Sequence, residues 1–576
     1  MNHIFMKYLI KLHEYRCIKR KMSSFKIHLW ENTMFVNSGP KSDGTGLQFN
    51  ISLMLSIKPP SKPRKINMCR KPQDTIDMFL ERIKLKLSSD YVLKTQNIGK
   101  TEIELQKDGI RVCDDATLSD IFENNNSTTC LLIRDMYINV VYNAPILNNI
   151  KLNKPSYEKL MLYPYGFDNG FNVSSTHINY LWYRITPKKQ EIEVGCQMAY
   201  TPTAEDIDCC LKLVCKPYNE KGSPGPTAEI LSSKVLKNTI DIYPHENRLK
   251  ERDYNQSIRV ISYNILAGGY TKTKEAELDM YPYCSKEVLA SGYRNPLVLK
   301  ELIAYKADII CLQEVESSFF NSELQPLLKL YMNMNGVFLR KNNHRREGLS
   351  CFYSIDKFTL LNQFDIKLND LTTVESYCGS IVNDIIDDEF WKIGLKKTTV
   401  FQVLVLELKC DTKHLLLICN THLISDPEGD STRLMQSLIE LTIINQIKKK
   451  LDIDYPERNK SIIFCGDFNS TPESGVYDLA TNLLLPEKHR NDNLLNNLKN
   501  VLDFKLESAY GIDVEYSNYT QSFFGLLDYI YFTNQHLEVI QTLPMPPHDV
   551  VTKHVGLPSL LFPSDHLALI ADLKLK

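Results

Sequence analysis

Short apolar runs of strand length dominate the second half of the chain, and most of them border a polar or charged cassette. The runs predicted as strands are IRVISYN, ADIICLQE, FQVLVLEL, HLLLICNTH, SIIFCGDFN, LDYIYF and HLALIADL. Helical patterns separate several of them. After Ser431, for example, leucines and isoleucines recur at three- and four-residue steps. Near-continuous apolar strands with intervening helices are typical of sheets buried on both faces, so we predict an α/β catalytic domain over residues 258–576.

The first half of the chain has a different pattern. LQFNISLMLS reads as a strand, and the segment that follows Pro72 places Ile76, Phe79, Leu80 and Ile83 at helical spacing. We predict a small α+β domain over residues 40–145. Between 146 and 245 the apolar runs are short and separated by turn signals, which indicates a β-sandwich-like domain.

Composition bounds these predictions. A chain of 576 residues exceeds one hydrophobic core, so several domains are expected. No apolar stretch reaches the ~20 residues that span a bilayer, which argues against a membrane protein. The net charge is −1, so a polyanionic partner must be held by a local basic patch. The 15 cysteines show no paired metal-binding spacing, which fits a reducing compartment.

The amino-terminal segment is strongly basic. Its lysines and arginines are interspersed with apolar residues, and Glu14 is the single acid among the first 30 residues. This composition is typical of a mitochondrial transit peptide, predicted here over residues 1–35, and places the protein in the mitochondrial matrix. The alternative is a disordered basic tail on a cytoplasmic protein.

The cassettes carry the candidate chemistry. Hydrolysis of a phosphodiester requires neutralised phosphate oxygens, a positioned water and a proton acceptor. Glu314 follows a buried run and suits a ligand of a hard cation such as Mg²⁺. Asp467 and Asn469 are two residues apart, so in extended backbone their side chains face one way and converge on one water or ion.

Imidazoles and further polar groups complete the set. Asp528 lies in an apolar strand, where a carboxylate is costly without a partner. His566 is the obvious partner, and this contact would fix its tautomer and favour its charged form. Asp565 precedes His566 in a turn. His422 supplies a second imidazole, although a buried core histidine is the alternative. Asn264 either ends a strand or orients the metal-bound group.

Several longer motifs carry a family resemblance. They are YPYC at Tyr281, NTHLISDPEGDSTRLMQ, CGDFNSTP, and the tail LPMPPHDVVTKHVGLPSLLFPSDHLALIADLK. On these motifs residues 258–576 resemble the endonuclease/exonuclease/phosphatase superfamily, in particular its deadenylase branch. The resemblance implies a two-sheet β-sandwich flanked by helices.

The resemblance also implies a role for each candidate residue. Glu314 would bind Mg²⁺, with Mn²⁺ as the alternative ion, and Asn264 and Asp565 would be further ligands or supports. Asp467 would transfer the proton beside the metal. The remaining side chains would act on the phosphate, with Asn469 positioning it, His422 and His566 stabilising the transition state, and Asp528 supporting His566. Phe523 and Pro427 would sandwich the adenine of the substrate.

The implied activity is that of a Mg²⁺-dependent 3′-exoribonuclease that releases AMP from poly(A) tails and 2′,5′-oligoadenylate. Its partner would be single-stranded RNA, with no membrane and no obligate protein partner. Two alternatives stay open. One is a DNA-repair or inositol-phosphate phosphoesterase with the same metal site. The other is a non-enzymatic scaffold that acts through the amino-terminal domains.

Overall fold

The computed structural model describes fourteen segments of the chain. They are residues 33–40, 47–55, 64–89, 102–122, 128–133, 136–147, 149–167, 177–220, 222–249, 257–342, 346–379, 394, 397–490 and 492–576. Residues 1–32 of the predicted transit peptide lie outside the described residues. Across the described segments, no helix combines the length and the apolar character needed to cross a bilayer.

Two compact units make up the chain. The first comprises Met1–Ile150, Gly166–Tyr180 and Val214–Glu229. The second comprises Lys151–Tyr165, Leu181–Leu213 and Ile230–Lys576. The finer boundaries predicted at 146–245 and 258–576 stay predictions.

A seven-stranded sheet forms most of the first unit. Its strands are β1 (Thr33–Pro40), β2 (Leu47–Leu55), β3 (Arg64–Arg70), β4 (Ile103–Lys107), β5 (Ile110–Arg111), β6 (Thr129–Ile133) and β7 (Met136–Tyr142), in the order β3-β2-β1-β7-β6-β4-β5. Helices α1 (Ile76–Ser89) and α2 (Leu118–Phe122) pack on it. In α1 the buried residues Phe79, Ile83 and Leu87 recur at the spacing of one helix face, so this face joins the core.

Short strands follow in the next segment of the chain. They are β8 (Lys151–Leu152), β9 (Ser156–Tyr157), β10 (Pro164–Tyr165), β11 (Ile178–Ile185), β12 (Glu191–Gly195), β13 (Cys210–Pro217) and β14 (Ala228–Leu236). They form a five-stranded sheet of order β12-β11-β13-β14-β9 and a two-stranded sheet of β10 and β8.

The carboxyl-terminal part of the second unit contains two six-stranded sheets. Its strands are β15 (Ile258–Asn264), β16 (Ile309–Glu316), β17 (Met334–Arg340), β18 (Glu347–Ser354), β19 (Phe358–Lys367), β20 (Val400–Leu408), β21 (His414–His422), β22 (Asn459–Asp467), β23 (Glu507–Ser508), β24 (Asn518–Tyr519), β25 (Phe524–Gly525), β26 (Asp528–Phe532), β27 (Leu537–Thr542) and β28 (Leu569–Leu575). One sheet has the order β17-β18-β16-β15-β28-β27, and the other β19-β20-β21-β22-β26-β23. Strands β24 and β25 pair separately as a hairpin.

The two six-stranded sheets pack face to face. Their shared core includes Val260 and Cys311 from the first sheet and Leu404, Ile418 and Ile463 from the second. Helices cover the outer faces, so the central strands are apolar on both sides and read as continuous apolar runs. The predicted two-sheet sandwich flanked by helices is confirmed.

The helices of the second unit are short, with two exceptions. They are α3 (Pro244–Arg248), α4 (Lys286–Leu289), α5 (Ser291–Tyr305), α6 (Ser317–Phe319), α7 (Gln325–Met332), α8 (Leu371–Cys378), α9 (Asp430–Asp454), α10 (Val476–Asn482), α11 (Asn493–Asn500) and α12 (His548–Val551), with π-helical turns at Ala276–Met280 and Phe320–Leu324. The longest is α9, which begins where the leucine pattern predicts a helix. Its Leu434, Leu438 and Leu441 are buried in the core formed with the second sheet.

A buried carboxyl group on α5 makes the stability of this unit sensitive to pH. Glu301 is 3% exposed and lies 3.8 Å from Nδ1 of His245. Burial raises the pKa of Glu301 from 4.5 to about 7, although the charge of Arg248 and a hydrogen bond from Tyr263 oppose this shift. The folded protein therefore holds this proton more tightly than the unfolded chain does. The resulting stability is complete below pH 4.5 and is lost as the pH rises through about 7.

We predict that Glu301→Gln stabilises the protein at alkaline pH and not at acidic pH. A neutral amide has no ionisation cost, so the variant should gain about 2 kcal/mol relative to wild type between roughly pH 5.5 and 8.5. Urea unfolding at both pH values measures this difference. Exposed Glu538→Gln is the matched control and should show no such dependence. An equal effect of Glu301→Gln at both pH values would contradict the prediction.

Candidate active site

Parallel strand pairs bring the first predicted residues to one edge of each sheet. In the first sheet β15 and β16 are parallel, and Asn264 pairs with Gln313, next to Glu314. In the second sheet β21 and β22 are parallel, and their last residues His422 and Asp467 are paired. Because parallel strands end at the same edge, each sheet presents its polar cassettes together.

Asp528 reaches this edge from the opposite direction. It is the first residue of β26, which is antiparallel to β22, and it pairs with Asp467. A strand that starts where its antiparallel neighbour ends places its first side chain at the same edge. The LDYIYF cassette therefore joins the site through its beginning, whereas the others join through their ends.

The carboxylate of Asp467 is the centre of the site. The amide Nδ2 of Asn264 donates to Oδ2 of Asp467 at 2.9 Å and is 3.3 Å from Oε1 of Glu314. Nε2 of His422 and Nε2 of His566 lie 3.5 and 3.6 Å from the same Oδ2. Residues separated by hundreds of positions thus meet around one buried carboxylate, as the sequence predicts.

Both central carboxyl groups hold their protons more tightly than usual. Burial raises the pKa of Asp467 to about 7, Asp528 adds to the shift, and the charge of His566 opposes it. Burial also raises the pKa of Glu314, and the carboxylate of Asp565 raises it further. A carboxylate with a pKa near neutrality is suited to accept a proton from water.

His566 is held by the predicted contact with Asp528. Its Nδ1 lies 2.7 Å from Oδ2 of Asp528, which also accepts a hydrogen bond of 2.6 Å from Oγ of Ser517. Burial alone would lower the pKa of His566, but the charges of Asp528 and Asp467 together raise it well above its ordinary value. The imidazole is therefore charged at neutral pH and presents Nε2 to the centre of the site.

The second imidazole has the opposite character. Burial lowers the pKa of His422 well below its ordinary value, and the positive charges of Lys341 and His566 lower it further. The site therefore combines one neutral imidazole with one imidazolium, both beside Asp467. A buried core histidine without a polar neighbour, the alternative interpretation of His422, does not match this environment.

Asn469 reaches the site by a different route from the one predicted. Its φ of +47° lies in the left-handed region, so the assumption of extended backbone after Asp467 is wrong at this residue. The turn directs its backbone N–H to Oδ1 of Asp467 at 2.9 Å. Its side-chain Nδ2 donates to the carbonyl of Leu423 at 3.0 Å, which leaves the amide oxygen free of this bond. Asparagine tolerates this conformation better than most residues.

Asp565 is held by a residue whose role the sequence did not reveal. The hydroxyl of Tyr281 donates to Oδ2 of Asp565 at 2.8 Å. Tyr281 belongs to the YPYC motif, so that motif could have drawn attention to it. Arg294 was not foreseen at all. It is buried on α5, and its guanidinium donates to the carbonyls of Ile265, Leu266 and Pro563, which joins the loops that flank Asn264 and Asp565.

Phe523 and Pro427 lie at the surface, away from the hydrogen-bonded centre. The ring of Phe523 is 45% exposed and lies over Gly525, where an added Cβ would be 3.1 Å from Cζ of that ring. Pro427 is also exposed, and Arg433 approaches its carbonyl at 3.5 Å. The predicted adenine sandwich between the two stays a prediction.

The side chains at the site suit a hard divalent cation. Ligand atoms of Asp467, Asp528 and His566 all lie within 4.8 Å of one another. Within the described part of the chain, Oδ1 of Asp528 is buried and has no hydrogen-bond partner. Together with Glu314 and Asp565, the site holds more buried carboxyl groups than its single imidazolium neutralises. A divalent cation supplies the missing positive charge and prefers such oxygen ligands.

Comparison with known proteins agrees with this geometry. The 2′,5′-phosphodiesterase 12 of Homo sapiens is 36% identical over 389 residues, which cover 66% of this chain and 62% of that protein. The CCR4-Not complex 3′-5′-exoribonuclease subunit Ccr4 of Schizosaccharomyces pombe is 28% identical over 364 residues, 57% of this chain and 51% of that protein. The matched region therefore spans less than two thirds of the length of each relative.

A solved structure of ANGEL2, a 2′,3′-cyclic phosphatase, matches 56% of this chain and 98% of its own, with 22% identity and a TM-score of 0.46. Residues 261–566 match the family model described as Endonuclease/Exonuclease/phosphatase family, and this range contains every predicted site residue. The chain belongs to the Endonuclease/Exonuclease/phosphatase family.

Proposed function

We propose that the protein is a Mg²⁺-dependent 3′-exoribonuclease that releases AMP from poly(A) and from 2′,5′-oligoadenylate. One observation carries the proposal. A buried carboxylate with a pKa near 7, Asp467, lies within hydrogen-bonding or ion-pair distance of an amide and two imidazoles of opposite charge. This arrangement offers a proton acceptor next to groups that stabilise negative charge.

Each side chain has a part in the mechanism. Asp467 accepts the proton of the attacking water, and the amide of Asn264 holds the carboxylate in one orientation. The imidazolium of His566, oriented by Asp528, stabilises negative charge on the phosphate. His422 donates a hydrogen bond to the phosphate as a neutral imidazole. Asn469 offers its amide oxygen to the water, because its amide nitrogen is occupied by Leu423.

The proposed cofactor is Mg²⁺, with Mn²⁺ as the alternative. Glu314 would hold it, with Asp565 and Asn264 as further ligands or as supports. When bound, the ion neutralises the phosphate oxygens and lowers the energy of the transition state. The raised pKa of Glu314 supports this assignment, since a nearby cation would remove the cost of its ionisation.

The names of the relatives support the choice of substrate. One is a 2′,5′-phosphodiesterase and another a 3′-5′-exoribonuclease, so both linkages are proposed for this chain. Adenine would stack between Phe523 and Pro427, both of which are exposed.

Localisation to the mitochondrial matrix is part of the proposal and is supported by the basic, acid-poor segment at residues 1–35. The alternative is the cytoplasm.

We predict that Asp467→Asn and Glu314→Gln each lower kcat for AMP release by at least roughly a hundredfold, because the proton acceptor or the cation ligand is lost. Release of AMP from a 2′,5′-linked trimer is measured by chromatography. Far-UV circular dichroism should show a retained fold. Exposed Asp454→Asn is the matched control and should keep full activity. Activity near the wild-type level in either site variant would refute the mechanism.

A substrate panel tests the activity and its metal requirement together. We expect hydrolysis of 3′,5′- and 2′,5′-oligoadenylate, and no hydrolysis of abasic duplex DNA or inositol phosphates. A chelator should abolish the activity and added Mg²⁺ should restore it, because the buried carboxylates need a cation. Preferential hydrolysis of the DNA or the inositol phosphates would favour the other phosphoesterases of the family. No hydrolysis of any substrate would favour a scaffold.

We predict that residues 1–35 fused to a fluorescent protein direct it to mitochondria, since basic residues without acids favour import. Fluorescence microscopy against a mitochondrial marker measures this. The same fusion with its lysines and arginines replaced by glutamine is the control and should stay in the cytoplasm. Cytoplasmic fluorescence of the unmodified fusion would contradict the matrix location.

A further inference from the structure

The hairpin of β24 and β25 is attached directly to the site. Asn518 forms a β-bridge with His566, and the backbone N–H of Tyr519 donates to the carbonyl of Asp565 at 3.0 Å. In the hairpin, Asn518 pairs with Gly525 and Tyr519 with Phe524. The position of Phe524 is therefore fixed relative to His566 through two pairs of strand residues.

Two neighbouring aromatic residues of this hairpin face opposite ways. Phe523 lies over Gly525, on the side where Thr471 also approaches. Phe524 instead stacks on Tyr519, with ring centroids 5.5 Å apart and an angle of 21° between the planes. Successive residues of a strand alternate between faces, so the adenine sandwich proposed for Phe523 does not use Phe524.

The ring of Phe524 is the open end of a supported aromatic stack. Below it, Tyr519 meets Tyr516 edge to face with centroids 4.9 Å apart, and Tyr516 is 6% exposed. The ring of His548 lies 5.8 Å from Tyr519, and its Nδ1 is 3.1 Å from the hydroxyl of Tyr516. Phe524 itself is 54% exposed. One face of the ring is fixed by the stack while much of its surface stays open to a ligand.

We infer that Phe524 is a second base-stacking platform, which binds a nucleotide upstream of the scissile phosphate. The inference rests on the proposed function, because it assigns the next part of the same RNA strand. An exposed flat ring on a rigid support accepts any base, since every base offers a stacking face. The direct connection of the hairpin to Asp565 and His566 places the platform beside the reacting centre, where the upstream nucleotide leaves it.

The test measures affinity for single-stranded RNA without turnover. Fluorescence anisotropy in a chelator gives Kd for a labelled oligo(A) pentamer and for pentamers with an abasic residue at each upstream position in turn. Phe524→Ala should weaken binding of the intact pentamer by roughly 5- to 100-fold. Phe524→Trp should retain the affinity, and Phe524→Leu should not, because leucine is apolar but cannot stack.

The abasic series identifies the nucleotide. In wild type, removal of one upstream base should cost about as much affinity as Phe524→Ala, and that cost should vanish in the variant. Exposed Ile453→Ala is the control and should bind like wild type. If Phe524→Ala binds as tightly as wild type, or if no upstream abasic site weakens wild-type binding, the inference is wrong.

The design separates this inference from the proposed activity. Binding is measured without metal, so it does not depend on AMP release. If wild type binds the pentamer with the Phe524-dependent pattern but releases no AMP when Mg²⁺ is added, the proposed function fails and the platform stands. If AMP is released and Phe524→Ala has no effect on Kd, the function stands and the platform fails.

Discussion

The buried carboxylate of Asp467 is the group on which the arrangement of the site depends. It is 1% exposed, and it is approached by Asn264, His422 and His566. A charge in this position is costly unless it is solvated by the protein itself. The amide and the imidazoles provide that solvation, and the raised pKa shows that burial still dominates. Because the burial is not fully compensated, Asp467 keeps the proton affinity that a general base requires.

The position of Asp467 relative to Glu314 requires that the two sheets be fixed to each other. A buried pair of amides does this just behind the site. Nε2 of Gln313 donates to Oδ1 of Asn420 at 2.8 Å, and Nδ2 of Asn420 donates to the carbonyls of Leu312 and Ser350. Gln313 precedes Glu314, and Asn420 lies two residues before His422. A polar bridge between apolar sheets costs stability unless its groups are paired, and here it fixes one relative position of the sheets.

The sequence was informative where a single residue carries its own physical requirement. An aspartate in an apolar strand needs a partner, and this argument was sufficient to pair Asp528 with His566. It was uninformative where the requirement arises from tertiary contacts. Arg294 resembles a surface residue of a helix, and only the fold surrounds it with carbonyl groups. Backbone conformation was equally hidden. Glu314 has a φ of +57° at an irregularity of β16, and no local pattern indicates that a glutamate adopts this conformation.

The two imidazoles are coupled through the carboxylate that they share. His566 is charged because Asp528 and Asp467 are both nearby, whereas His422 is neutral partly because His566 is charged. Under the proposed mechanism, Asp467 becomes neutral when it accepts a proton. One of the two charges that hold the proton on His566 is then lost, so His566 becomes a stronger acid at the moment when the leaving oxygen requires a proton. The groups therefore titrate as a set, and uptake of a proton at Asp467 favours its release at His566.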